Sequence, residues 1–375
     1  MIVAYDLRYA ADHFTGIGTH AYCLLEALLA LAGPERYAVL WSRGLTSSRF
    51  DAESLRRHPR VEWIERPLAP LGLPALWRVG RLMREIRPAV YFSPFYFLPI
   101  NPGCPCVLTL HDVRSLRLPG GLKLWPRTLY RLSLARAAHA RFIVTASEFS
   151  KREIEELSTL GPEQVRVVRL GVPASWARLS PRRPAALPDE AYALLVGINM
   201  PHKNLATLAS AWSQVEGSPP LRLVAAGPVD PRYPDLGALI GARNAGRVTS
   251  LGRVGEDELE WLYRNATLVL FPTLYEGFGL PMVEAFAHGA PVVASDIPPL
   301  REAGEGVARF VEPLDSATWA REVCRLAGDP EARHSMADAG RVRAVEFTYE
   351  HTARATLEVL REAAGLPAVV PTVIA

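Results

Sequence analysis

Along the chain, short runs of β-branched and aliphatic residues alternate with stretches whose apolar positions recur at helical spacing. The runs at 2–6, 37–41, 89–93, 106–112, 141–147 and 165–171 predict strands, and amphipathic stretches at 19–31 and 122–138 predict helices between some of them. Strands that are apolar throughout are covered on both faces, as in a parallel sheet flanked by helices. The pattern breaks at 178–190, RLSPRRPAALPDE, where Pro181, Pro184 and Pro188 oppose regular structure. It then restarts, with strands at 192–196, 222–226, 248–251, 267–271, 291–295 and 308–311 and helices at 205–215, 256–265, 281–288, 318–326 and 349–364. The expectation is two α/β domains in tandem, residues 1–180 and 190–348, joined by the proline-rich segment. Parallel sheets take ligands at the carboxyl ends of their strands, so the cleft between two such domains is the expected site.

Composition adds little: 49% hydrophobic and 22% charged residues suit a soluble globular protein. No apolar run reaches the length of a membrane span, and the opening MIVAYDLRYA reads as a strand and not as a leader. A cytoplasmic location is expected. Of the four cysteines, Cys104 and Cys106 stand too close for an easy disulfide, and no second pair has zinc-like spacing. Charge changes the picture more. Residues 1–180 carry 24 Lys and Arg against 15 Asp and Glu, whereas residues 181–375 carry 18 against 24. The first half is therefore expected to meet something anionic. Lysine occurs only at Lys123, Lys151 and Lys203, all other cations being arginine.

The candidate chemistry centres on LYEGFGLPMVEA, residues 274–285, just after a predicted strand. Pro281 suits the first turn of a helix, and the N–H groups of Gly279, Leu280 and Met282 at that helix start would form an anion site. Glu276 and Glu284 bracket the turn. Backbone donors suit a phosphate and carboxylates suit sugar hydroxyls, and a sugar nucleotide carries both. A capping carboxylate at a helix start is the other account of Glu284, although it leaves Glu276 and the two glycines unexplained. Lys203 precedes a second helix, where its ammonium either meets a diphosphate or lies solvated. Gly16 and Gly18 form a G-x-G turn after the first strand; Ala21 replaces the third glycine of the dinucleotide fingerprint. His111 and Asp112 end a predicted strand, His111 being either a packed histidine or a group facing the site. Ser147 and Ser150 either bound a groove or cap the following helix.

EGFGLPMVE resembles the E-x7-E motif of retaining glycosyltransferases of family 4, and the stretch 268–313 is similar to that family almost continuously. The resemblance implies the GT-B fold, two facing Rossmann-like domains with parallel sheets and an interdomain cleft, the last helix, about 349–375, crossing back to the first domain. It implies a sugar-side role for Glu276, ribose binding for Glu284 and a diphosphate contact for Lys203 within VGINMPHKN. Ile198 and His202 replace arginines common in the family. TGIGTH, with Gly16 and Gly18, resembles the family's loop beside the donor phosphates, and TLHD, with His111, resembles its mannosyltransferase branch, where the histidine lies by the transferred sugar. Asn204, Phe278, Gly279 and Leu280, inside the same motifs, complete the expected donor-binding set. The activity implied is transfer of a hexose, mannose from GDP-mannose, to a glycan or lipid-linked acceptor, with UDP- or dTDP-sugar transfer, epimerisation and non-catalytic nucleotide or glycan binding as the alternatives. No cofactor is expected, and no essential metal, since the chain lacks Asp-x-Asp; nucleic acid is not an expected partner. Residues 121–141, basic and free of acids, form either a surface resting on an anionic membrane or a solvated helix face; relatives with lipid-linked acceptors favour the first.

Overall fold

The computed structural model describes all residues except 12–14, 48, 119–123, 174–175, 177–179, 216–220, 242–243 and 368–375. The chain divides into two compact units: Met1–Leu170 together with the chain from Tyr349, and Gly171–Thr348. The first boundary falls at Leu170 and not near 180. Val172 pairs with Thr348, and its N–H donates to the Phe347 carbonyl, so the segment after Leu170 is tied into the second unit.

In the first unit seven strands, β1 (Ile2–Asp6), β2 (Arg36–Ser42), β3 (Val61–Arg66), β4 (Val90–Ser93), β5 (Cys106–Thr109), β6 (Phe142–Thr145) and β7 (Val165–Val167), form one sheet in the order β3-β2-β1-β4-β5-β6-β7. Every pairing is parallel. Strands β4, β5 and β6 are buried along their length, which is why they read as apolar runs; β3 at the edge alternates, as VEWIER does, and was not predicted. One face is covered by helices Thr15–Ala30 and Tyr349–Ala363, whose Leu24, Leu28, Leu357 and Leu360 pack with Val3 and Phe92. Helices Leu73–Ile86 and Leu124–Ala137 cover the other face.

The second unit holds β8 (Tyr192–Val196), β9 (Arg222–Ala226), β10 (Val248–Gly252), β11 (Leu268–Phe271), β12 (Val292–Ser295) and β13 (Arg309–Val311), all parallel, in the order β10-β9-β8-β11-β12-β13. Helix Pro330–Ala344, absent from the sequence expectation because its apolar stripe is thin, packs on helix Leu280–Ala287. Both sheets reverse their strand order once, between β1 and β4 and between β8 and β11. Consecutive connections there leave on opposite faces and open a crevice at the carboxyl ends of the strands.

Candidate active site

In the second unit, the residues following β8 and β11 meet at that reversal. The chain leaves β8 through Gly197, whose φ of 142° suits glycine. It then makes a 3₁₀ turn, Pro201–Lys203, before helix Leu205–Trp212. The carbonyl of His202 accepts hydrogen bonds from the N–H of Leu274 at 2.7 Å and the hydroxyl of Thr273 at 2.9 Å, stitching the two connections together. As a result Lys203 and Glu276 come together. The Lys203 ammonium donates to Glu276 Oε1 at 2.6 Å, with side-chain exposures of 15% and 14%. It also stands 5.1 Å from the centre of the Phe271 ring.

Gly279 begins helix Leu280–Ala287 with φ 97° and ψ 44°. A Cβ there would lie 2.3 Å from Leu300 Cδ2, so the turn needs glycine for conformation and for space. The Met282 N–H, expected to point toward an anion, donates to the Gly279 carbonyl at 2.9 Å, which leaves the Gly279 and Leu280 positions as the helix-start amides nearest the turn. Glu284 lies in the second turn of this helix, not the first. Its Oε2 accepts from the Tyr263 hydroxyl at 2.9 Å. Burial pushes the Glu284 carboxyl up to about 7, against the lowering effect of the Tyr263 hydrogen bond. Tyr263 is itself held in a stack, 5.7 Å from His288, which lies 5.1 Å from Trp176. Burial, reinforced by Arg264, brings His288 down to about 4, so that ring is neutral.

Asn204 and Phe278, expected to contact the donor, point inward instead. The Asn204 amide donates to the Pro313 carbonyl at 2.7 Å and its oxygen accepts from Thr207, while the Phe278 ring packs edge-on to Phe347 at 5.7 Å. Both shape the loops from the core side. His202 is buried, and Ile198, which carries no charge, lines the adjoining pocket.

That pocket opens beside Lys203 at the ends of β8 to β11 and includes Gly227, Val229, Ser250 and Gly252. Sequence reasoning missed these residues, which carry no motif. Gly227 was findable only as a glycine closing an apolar strand: a Cβ there would sit 2.1 Å from the Gly197 carbonyl oxygen. Asn199 was missed too. Its side chain donates to the carbonyls of Asp230 (3.0 Å) and Tyr233 (2.8 Å) and accepts from the Asp230 N–H (2.5 Å), fixing the loop that forms one wall.

Gly16, Gly18 and His111 belong to the first unit. The glycines lie within helix Thr15–Ala30, not in a loop before it. Gly16 is exposed, whereas a Cβ on Gly18 would meet the Tyr9 carbonyl oxygen at 2.9 Å. β5 stops at Thr109, which places His111 and Asp112 in the loop beyond it. His111 Nε2 lies 3.3 Å from the Pro94 carbonyl, which can only accept, so Nε2 carries the proton and Nδ1 is the acceptor of the neutral ring. Burial lowers the His111 pKa, partly offset by Asp112 and the Pro94 carbonyl. His20, the last residue of TGIGTH, meets this ring in a T-shaped contact at 5.1 Å. Ser147 caps helix Glu148–Leu157 by accepting the Ser150 N–H at 3.0 Å. Of the basic stretch, residues 121–123 and the side chain of Arg127 lie outside the described residues. Arg131 is exposed, and Arg136 turns in to the carbonyls of Leu98 and Pro99. Among the described residues no group of three or more His, Cys, Asp or Glu is placed to hold a metal ion, and no helix is long and apolar enough to cross a membrane.

Comparison with known proteins follows the two units. Residues 14–176 match the family described as Glycosyltransferase Family 4, and residues 190–329 match Glycosyl transferases group 1. The chain is similar to the O-antigen chain mannosyltransferase B of Escherichia coli, 27% identical over 321 residues that take in 81% of this chain and 80% of that protein. It is similar as well to a D-inositol 3-phosphate glycosyltransferase of Thermobispora bispora, 34% identical over 286 residues, 70% of this chain and 66% of the other. Among solved structures, sucrose-phosphate synthase of Thermosynechococcus elongatus shares the fold, with a TM-score of 0.73 at 21% identity over 96% of this chain and 98% of that one.

Proposed function

The chain belongs to glycosyltransferase family 4, with that family's GT-B fold, and on that premise we propose that it moves mannose from GDP-mannose onto a glycan or lipid-linked acceptor. Retention at the anomeric carbon and a place in surface polysaccharide or glycolipid synthesis are part of the same reading. The choice of mannose leans on the name of the Escherichia coli relative.

The observation that carries the site assignment is the Lys203–Glu276 contact at the strand reversal, beside the start of helix Leu280–Ala287. An ammonium has three hydrogens; one reaches Glu276, and two remain for diphosphate oxygens. When the glycosyl–phosphate bond breaks, negative charge grows on the diphosphate and positive charge on the ring carbon. Lys203 and the helix-start amides meet the first, and the carboxylate of Glu276 stands on the sugar side. Glu284, oriented by Tyr263, accepts from ribose hydroxyls, and neutral His111 offers Nδ1 as acceptor to a sugar hydroxyl. The reading assigns the positive field at the diphosphate to these groups, without a metal. Within it, the basic stretch 121–141 is one place of contact with an anionic membrane.

The test is a donor panel of GDP-mannose, UDP-glucose, UDP-GlcNAc and dTDP-rhamnose, scored by thermal shift and by transfer. GDP-mannose at 100 times its Kd should stabilise the fold by about 2.7 kcal/mol. Glu276→Ala should keep the shift and lose about 100-fold in turnover, while Glu284→Ala should weaken the shift. Stabilisation by a uridine or thymidine donor instead would replace the donor assignment. Binding without transfer to any acceptor would favour a non-catalytic member, and wild-type turnover in both glutamate variants would remove the site.

A further inference from the structure

At the amino ends of β5, β6 and β7, the end of the first sheet opposite its carboxyl-end crevice, the chain lines a second cavity. Cys104, Cys106, Arg136, His139, Arg141 and Gln164 face it, and no acid is among the lining residues. Arg136 and Arg141 are the last two arginines of the basic stretch. Among the described residues neither has a carboxylate partner. Arg136 donates from Nη2 to the carbonyls of Leu98 (3.0 Å) and Pro99 (3.4 Å), and the Arg141 guanidinium lies 5.0 Å from the centre of the Phe142 ring. The other N–H groups of both guanidinium forks remain for an anion.

The cavity is held open by the fold. Residues 98–106 carry prolines at 99, 102 and 105. The Ile100 N–H donates to the Leu76 carbonyl at 3.0 Å, and the Tyr91 N–H to the Pro105 carbonyl at 2.9 Å. Helix Leu73–Ile86 runs so near that a Cβ on Gly80 would lie 1.8 Å from the Ile100 carbonyl oxygen. This frame fixes the two thiols. Cys106 is buried at the start of β5, its Sγ 3.6 Å from the Cys104 carbonyl oxygen, whereas Cys104 is half-buried. A hydrogen bond from the Cys106 thiol lowers the Cys104 pKa, against the effect of burial, and the same bond together with burial pushes Cys106 up. A partly exposed thiol with a hydrogen-bond donor beside it and cations around it has the surroundings of a reactive cysteine.

We propose that Cys104 is a thiol–disulfide exchange site for small disulfides that carry carboxylates, with Arg136 and Arg141 holding the carboxylates. The Cys104 thiolate attacks one sulfur of the disulfide. That S–S bond breaks, a bond forms between Cys104 Sγ and the attacked sulfur, and the other half leaves with the electron pair and takes up a proton from water. Cys104 is oxidised and the departing half is reduced; a free thiol reverses the step. Cys106 stays a buried thiol and acts as the donor that favours the Cys104 thiolate. The arginines select the ligand: they attract an anionic disulfide and oppose a metal cation at the same sulfurs. The site lies outside the transfer chemistry and does not depend on the proposed function.

Glutathione disulfide, which carries carboxylates, is the probe, and intact mass with peptide mapping of the full chain is the readout. One adduct is expected, on Cys104, removed by dithiothreitol and absent from Cys104→Ser at an unchanged melting temperature. Arg141→Gln should slow the reaction about fivefold and leave the rate with cystamine, a cationic disulfide, no lower than in the wild type. Cys106→Ala should slow it as well, whereas Cys106→Ser, which keeps a donor, should restore the rate. The proposal is overturned if Cys23 or Cys324 is modified as fast as Cys104, or if Arg141→Gln slows both disulfides equally. It is equally overturned if the sole product is a bridge between Cys104 and Cys106 with no adduct.

Discussion

Glu284 concentrates the chemistry of the nucleotide site in one proton. Its carboxyl is raised to about 7 because burial disfavours the charge. Hydroxyls donate best to the ionised form, so affinity for a nucleoside diphosphate should rise as pH increases through about 7. The sign for stability is opposite. A carboxyl raised above its ordinary value of 4.5 contributes stability below that value and loses it as pH rises through about 7. Glu284→Gln should therefore bind more weakly, lose the pH dependence of binding, and melt relatively higher at pH 8 than at pH 5 when compared with the wild type. Calorimetric titration across that range, with parallel melting curves, checks both signs. The motif in the sequence located this glutamate. It could not reveal its partner, because Tyr263 lies 21 positions away and is brought near only by tertiary packing.

At the level of elements, the connections after β8 and β11 and the helix that follows each define the site. Gly279 fixes where helix Leu280–Ala287 begins. Gly279→Ala meets both a left-handed backbone and Leu300, and should cost about 1–3 kcal/mol of stability, read by urea denaturation, with weaker donor binding because the helix start shifts. Elements of this kind were largely legible. Inner strands announced themselves as apolar runs, and a proline after a glycine turn marked the helix. Edge strand β3 escaped because one alternating face resembles a loop with occasional aromatics, and helix Pro330–Ala344 because its buried face is made of small residues such as Ala337 and Gly340. The Lys203–Glu276 contact was not legible either: both residues were named, but for separate partners, since spacing along the chain does not say which strand ends lie side by side. Asn199 and Gly227 act by holding backbone, a role that carries no sequence signature.

For the whole molecule, the returning helix Tyr349–Ala363 matters most. Its Tyr349, Ala353, Leu357 and Leu360 complete the cluster around β1 and helix Thr15–Ala30, and Thr352 donates to the Arg169 carbonyl at 2.8 Å. Emptying two such leucine sites alone costs about 4–10 kcal/mol, comparable with the whole stability of a typical domain. A chain ended after Thr348 should keep a protected second sheet in hydrogen-exchange measurements and lose protection across β1, β2 and β4.

The same helix sets an order of events on the ribosome. Residues 1–170 are synthesised before residues 171–348, yet one face of their sheet waits half-covered until residues 349–363 are made, while the second unit has everything it needs beforehand. Nascent chains stalled near position 340 should thus recruit hydrophobic-binding chaperones to residues 1–170, and slow translation across residues 349–363 would lengthen that exposure.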